Sequence, residues 1–445
     1  MRHTVKLRLF LPALLVAAVA ACSRELATSP RDEVLADQAI VDAPTARAAL
    51  AGTYAGLQAL GYYGRNLEIL GDLPTDNAVH TGTFQYLDDI DLHDIKADNT
   101  TTTSVWTAIY AVIARANMVL AKVPNLPDLS TAEKNEILGE AYFLRALSYH
   151  NLVKFWGAVP MPLEPILVAS DAVKFQRVPV AQVYTQILSD LDKAGQLITN
   201  TSNTRQATAM AVHAIRARVF LYQANYQGAL DEANIVLAGR DTLTVAYPDL
   251  FTATGTNTSE DIFRVAFTPV QYNEMGYYYL GSGRRELQPS KDLNTSYETG
   301  DLRKPWTVKP RGSSNLQGTK FPTTIGAEHL HVIRLAEVVL IKAEALARLN
   351  RLAEAVDEYN KVRIRAGLPK HVFGVDVKTQ ADVLAAIMLE RRHEFAFEGD
   401  RWPDLVRAGL AGTVKGLSNP GFVLFPIPAR EVTTTNGSVT QNPGY

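Results

Sequence analysis

VIRLAEVVLIKAEALARLNRLAEAVDEYNKVRIRAGLP, residues 332–369, decides the fold. Val332, Leu335, Val339, Ala343 and Leu346 recur at steps of three and four, which lines one face of a helix with apolar groups. A turn near Asn350-Arg351 interrupts the pattern, and a second helix runs on to Ala366-Gly367-Leu368-Pro369. Glycine accepts a left-handed cap and proline cannot continue a helix, so the stop has a physical basis. The same plan stands at residues 207–239, where one helix ends near Ala224-Asn225 and Tyr226-Gln227-Gly228 opens the next. The second helices share wording, Ala229-Leu230-Asp231-Glu232 against Ala355-Val356-Asp357-Glu358. Paired helices of about 34 residues are the tetratricopeptide plan, in which each hairpin buries its stripe by stacking on a neighbour. The expected fold is mainly α, a tetratricopeptide-like scaffold of helical hairpins; periodicity alone leaves an irregular helical bundle open.

Working outward, helical spacing also fills residues 38–59, 105–123, 131–156 and 180–198. Residues 61–103 form a polar stretch punctuated by Leu67, Ile69, Leu70, Phe84, Tyr86 and Leu87, an ordered insertion. Residues 241–326 are loop-rich, with strand-like patterns at 243–245 and 262–267. Irregular segments of this length in a helical protein point to a functional face on a scaffold.

The amino end has a basic start, an apolar run over residues 9–19 and then small residues before Cys22, the layout of a secretory signal. Val19-Ala20-Ala21-Cys22 resembles the bacterial lipobox, whose cysteine is acylated and becomes the mature amino terminus. Cys22 is the one cysteine in the sequence, so the lone thiol stands where lipidation consumes it. Residues 1–21 are thus expected as a signal peptide and 22–32 as a lipidated tether. No later segment has 18 consecutive apolar residues, so none after the signal is expected to span a membrane. The formal net charge of −2 includes Arg2, Lys6 and Arg8 of the removable segment, and the remainder offers no basic field for nucleic acid.

Near the carboxyl end, residues 390–405 read ERRHEFAFEGDRWPDL, which resembles the most diagnostic motif of the SusD/RagB family. Three further segments match in order: Phe143-Leu144-Arg145-Ala146 on to Gly157-Ala158-Val159-Pro160; Arg334-Leu335-Ala336-Glu337 through Arg365-Ala366-Gly367-Leu368-Pro369; and Leu424-Phe425-Pro426-Ile427-Pro428 with Gln441-Asn442-Pro443-Gly444-Tyr445. The resemblance covers nearly the whole chain and divides it into an N-terminal helical region, 33–240, and a C-terminal region, 241–445. It implies a non-enzymatic, surface-exposed outer-membrane lipoprotein with tetratricopeptide-like helices and a loop-rich ligand face. Such proteins bind an oligosaccharide, or in some members a peptide, and pass it to a SusC-like TonB-dependent transporter. A purely scaffolding member and a surface glycoside hydrolase are the rivals.

Sugar recognition needs a flat apolar platform for the ring and planar polar groups for its hydroxyls. Two loop clusters qualify: Tyr62, Tyr63, Phe84 and Tyr86 with Asp76, Asn77 and Gln85; and Tyr272, Tyr277, Tyr278 and Tyr279 with Gln271 and Asn273, extended by Trp306. Trp106, Trp156 and Trp402 read as core. Glu390, Glu394 and Glu398 are spaced to share a helix face, as a pair of glycosidase carboxylates would be. With Arg391, Arg401 and Asp404 close by, a buried structural ion-pair cluster is the stronger reading. His329 and His331 have strand spacing without a completing ligand pattern, and Asp88, Asp89, Asp91 and Asp94 lack the spacing of an EF-hand, so no metal is expected. No phosphate loop, dinucleotide fingerprint or nucleophile elbow is present, so no cofactor is expected.

Overall fold

Ser130 shows how the helices are set. Its hydroxyl accepts from the Glu133 amide at 3.2 Å while the Glu133 carboxylate reaches back to the Ser130 amide at 3.4 Å, a reciprocal cap that starts the helix Thr131–Trp156. Gly157, at φ +70°, ends it. The structure, a computed structural model, describes residues 39–240, 242–252 and 258–445. The candidate signal peptide, Cys22 and the tether lie outside the described residues.

The scaffold is a chain of helices that pack in order. α1 (Ala43–Leu57) lies on α2 (Thr100–Lys122), α2 on α3 (Thr131–Trp156), and α3 on α4 (Val180–Leu197). α4 meets α5 (Ala209–Tyr222), which forms a hairpin with α6 (Tyr226–Leu237). α6 packs directly on α7 (Leu335–Arg348), which forms the second hairpin with α8 (Leu352–Arg365), and both meet α9 (Gln380–Phe395). Antiparallel stacking of this kind is the tetratricopeptide-like arrangement, mainly α. α2 has the length and apolar content to cross a membrane, yet it buries Val105, Trp106, Ile109, Val112 and Ile113 between its neighbours.

Everything between α6 and α7 is an insertion in the stack. β2 (Asp261–Val265) pairs antiparallel with β6 (Leu330–Arg334), and β4 (Val308–Arg311) with β5 (Asn315–Gly318). β1 (Ala78–His80), from the earlier polar stretch, pairs with β3 (Leu287–Pro289). Two expectations change here. Val332 begins the apolar stripe in sequence, but β6 holds residues 330–334 as strand and α7 starts only at Leu335. Residues 243–245 form no strand; Leu243 is buried without a ladder partner.

Buried ions lock α9 to the stack. Glu394 faces Arg334 and Arg365, with Arg303 at 3.4 Å. Glu390 lies 2.9 Å from Arg303 and 2.7 Å from Arg363. Glu398 is 2.9 Å from Arg334 and 2.7 Å from Lys320. Burial pushes the Glu394 carboxyl up, but Arg365, Arg334 and Arg303 outweigh it and hold it well below the usual carboxylate range. Glu398 does not share the helix face of Glu390 and Glu394: α9 stops at Phe395, and Phe397 at φ +68° turns the chain before Glu398 swings back to Arg334. The nearby charges are also partnered differently from their spacing. Arg391 binds Asp404 at 2.6 Å, whereas Arg401 forks onto Asp76 with two contacts of 2.8 Å.

Candidate ligand-binding site

The β1–β3 pairing brings two segments about 200 residues apart in sequence into register, with Ala78 opposite Pro289 and His80 opposite Leu287. Past the pair, Thr81 and Gly82 donate their amides to the Glu286 carbonyl at 2.8 and 3.2 Å. The Glu286 carboxylate then accepts from the Thr83 and Phe84 amides at 2.9 and 3.2 Å, and from Arg284 Nε at 2.6 Å. A side chain at Gly82 would stand 1.9 Å from that carboxylate, so glycine is required for the turn.

The turn presents Phe84 and Tyr86 half-exposed, their rings stacked at 5.0 Å and 20°. The Arg284 guanidinium lies over Phe84 at 3.8 Å. From the other segment, the Tyr278 hydroxyl accepts from Arg65 at 2.8 Å, while Arg65 also pairs with Glu274. Tyr277, next to Tyr278, is 38% exposed. Parts of the two aromatic clusters thus come from segments that the pairing joins: Phe84 and Tyr86 half-exposed on one, and Tyr277 exposed on the other with its ring 6.1 Å from that of Tyr278.

Several candidates do not belong to it. Tyr62 and Tyr63 are buried, and both hydroxyls accept from Asn151 on α3, at 2.8 and 2.9 Å. Tyr279 is buried against Phe397 at 4.5 Å. Asn77 is buried, donating to Asp72 at 2.7 Å and accepting from Arg392 at 3.1 Å. Asp76 is taken up by Arg401 and Arg392, so it holds the 390–405 segment rather than facing a ligand. Asn273 is buried, its amide donating to the Gly326 and Glu328 carbonyls. Tyr272, 39% exposed, stands at a turn closed by Thr268 and Gln271. Trp306, 45% exposed, lies at the foot of the β4–β5 hairpin with Lys309 5.4 Å from its ring centre. Trp106, Trp156 and Trp402 are buried.

Arg65, Arg284 and Glu286 are missing from the sequence candidates. The one signal for Arg284 and Glu286 was charge in the run Gly281-Ser282-Gly283-Arg284-Arg285-Glu286, where glycines permit close approach: Gly283 packs onto the Tyr277 backbone. His329 and His331 are tied into the β2–β6 region, His329 Nδ1 accepting from the Phe267 amide at 3.1 Å and His331 Nε2 bonding the Leu250 carbonyl at 2.9 Å. Asp91 accepts from the His80 amide at 2.8 Å and Asp94 pairs with Lys96.

A stack of helical hairpins with an inserted aromatic face, its interior carboxylates held by arginines, defines a helical-repeat binding protein. The chain belongs to the SusD/RagB family: residues 33–221 match the family described as starch-binding associating with outer membrane, and residues 251–423 match the SusD family. Among its relatives, SusD-like protein P2 of Formosa agariphila is 25% identical, over 90% of this chain and 92% of that one. A laminarin-binding SusD-like protein of solved structure is 26% identical with a TM-score of 0.79, covering 91% of this chain and 100% of the other. A SusD superfamily protein from Bacteroides vulgatus shares the fold at a TM-score of 0.81 and 21% identity, covering 90% of this chain and 99% of its own.

Proposed function

We propose that the chain captures an oligosaccharide on the Phe84–Tyr86–Tyr277 face and hands it to a SusC-like TonB-dependent transporter, held at the outer-membrane surface by lipid on Cys22. The observation that supports this reading is the β1–β3 pairing, which joins two aromatic-bearing segments remote in sequence. A pyranose ring stacks its C–H face on such rings, while Arg284 and the exposed Gln85 supply planar groups for its hydroxyls. The likeness to a laminarin-binding protein makes laminarin oligosaccharides the first probe. The state of Glu394 supports binding rather than cleavage: its carboxylate is ionised and sealed among arginines, with no proton to give a leaving group. The lipobox and the family's outer-membrane description support the location.

Calorimetry with laminarin oligosaccharides tests it, with an expected affinity on the order of micromolar to millimolar, suited to cargo that must be released. Phe84→Ala and Tyr277→Ala should each weaken binding about tenfold, the scale of one lost aromatic anchor. Unchanged affinity in both variants would remove the site, and new reducing ends in the incubation would replace the binder with a hydrolase. Binding of peptides and of no glycan would move the ligand class.

A further inference from the structure

A second cleft lies apart from the aromatic face, between α2, the 160–175 segment and the 431–439 segment. Trp106, Tyr110 and Phe175 form aromatic walls and Pro160 and Pro162 close one side, around a volume of about 230 Å³. That is below the roughly 300–1,000 Å³ of sites for drug-sized ligands, so it suits one group of side-chain size. The walls are pinned in place. Tyr110 donates to the Pro160 carbonyl at 2.6 Å, and Tyr149 and Asn117 donate to the Pro162 carbonyl at 2.6 and 2.9 Å.

Glu431 also lines the cleft. Among the described residues no cation comes within ion-pair distance of its carboxylate, whereas the half-buried Asp76 and Asp91 have basic partners. Burial raises the Glu431 carboxyl above its usual range, with Arg430 pulling the other way, so the ionised form is under-solvated where it stands. Aromatic walls attract a cation through their ring faces, and an unpaired carboxylate completes its neutralisation. Ile166, exposed, lines the cleft, and Leu167, Val168 and Val173 of the same segment are exposed apolar side chains; Ser438, next to the lining residue Val439, bonds the Val173 carbonyl at 3.2 Å.

We propose that this cleft is a second binding site, for a protonated amine carried on a short apolar stem. The amine is either free or the side chain of a lysine flanked by apolar residues in a polypeptide. Two titrations by ligand-observed NMR, followed by calorimetry, distinguish the sources: n-butylammonium, with n-butanol as its neutral match, and the blocked tripeptide acetyl-Leu-Lys-Leu-amide. The amine should bind at least about tenfold more tightly than the alcohol. Glu431→Gln should erase that preference, and Glu431→Asp should keep part of it. A tripeptide that outbinds the amine identifies a polypeptide source through the apolar rim; equal affinities identify a free amine. The proposal is overturned if wild-type protein binds alcohol as well as amine, a comparison independent of any variant's folding, or if Glu431→Gln retains the preference.

Discussion

Ala224 and Asn350 occupy the same station in their respective hairpins, just after α5 and just after α7, and both have left-handed backbone, at φ +56° and +61°. Asparagine tolerates that conformation; alanine meets a steric cost of about 1 kcal/mol. Ala224→Gly should therefore stabilise the protein by about 1 kcal/mol, read as a higher urea midpoint with an unchanged slope; a lower midpoint would show that the turn is not strained. The hairpin itself was legible, because Asn225 and Gly367 carry local signals that need no tertiary context. Tyr62 and Tyr63 show the opposite case. Gly61 and Gly64 mark a turn correctly, but whether a turn tyrosine faces water depends on what lies beneath, and Asn151 on α3 draws both hydroxyls inward. Exposure of a loop side chain has no period to read, so buried Tyr62 and exposed Tyr277 look alike in sequence.

At the scale of the element, α9 is held by charge as much as by apolar contact. Removing one partner from a buried ion network leaves the others uncompensated, a cost of about 3–5 kcal/mol. Glu394→Gln leaves Arg303, Arg334 and Arg365 facing a neutral amide, so it should lower stability by about that amount in chemical denaturation, with far-UV dichroism reporting the fold. A loss below about 1 kcal/mol would mean that solvent reaches these arginines. The residues 390–405 announced a charged structural motif, yet most of its partners come from Arg303, Lys320 and Arg334 in the insertion between α6 and α7 and from Arg363 and Arg365 in the second hairpin. Spacing within the motif could not supply those partners. Helix boundaries were better determined: α3 carries its own start and stop in Ser130, Glu133 and Gly157.

For the whole molecule, buried acids of two kinds contribute to the response to pH in opposite senses. Burial raises Glu140 to about 7 and Asp72 to about 6, each against hydrogen bonds that pull the other way, from Tyr54 and Asn77 respectively. A folded-state value above the unfolded one contributes stability at low pH that is lost as pH rises through it, here between about 4 and 7. Glu398 is held down to about 2: burial opposes this, and Arg334 and Lys320 prevail. Its contribution is present above about 4.5 and is lost as pH falls toward 2. Glu140→Gln removes one loss on the alkaline side, so it should raise the urea midpoint at pH 7.5 relative to that at pH 5, compared with the wild type. An unchanged ratio of the two midpoints would count against the assignment. The direct seating of α6 on α7 has a further consequence. The frame closes without the segment strung between those helices, and the entropy of closing a loop grows only slowly with its length, about 0.6 kcal/mol per doubling. Insertions and deletions that spare Arg303, Lys320 and Arg334 leave the frame's joints untouched, so the remainder of this stretch can be rewritten while the same chassis is kept.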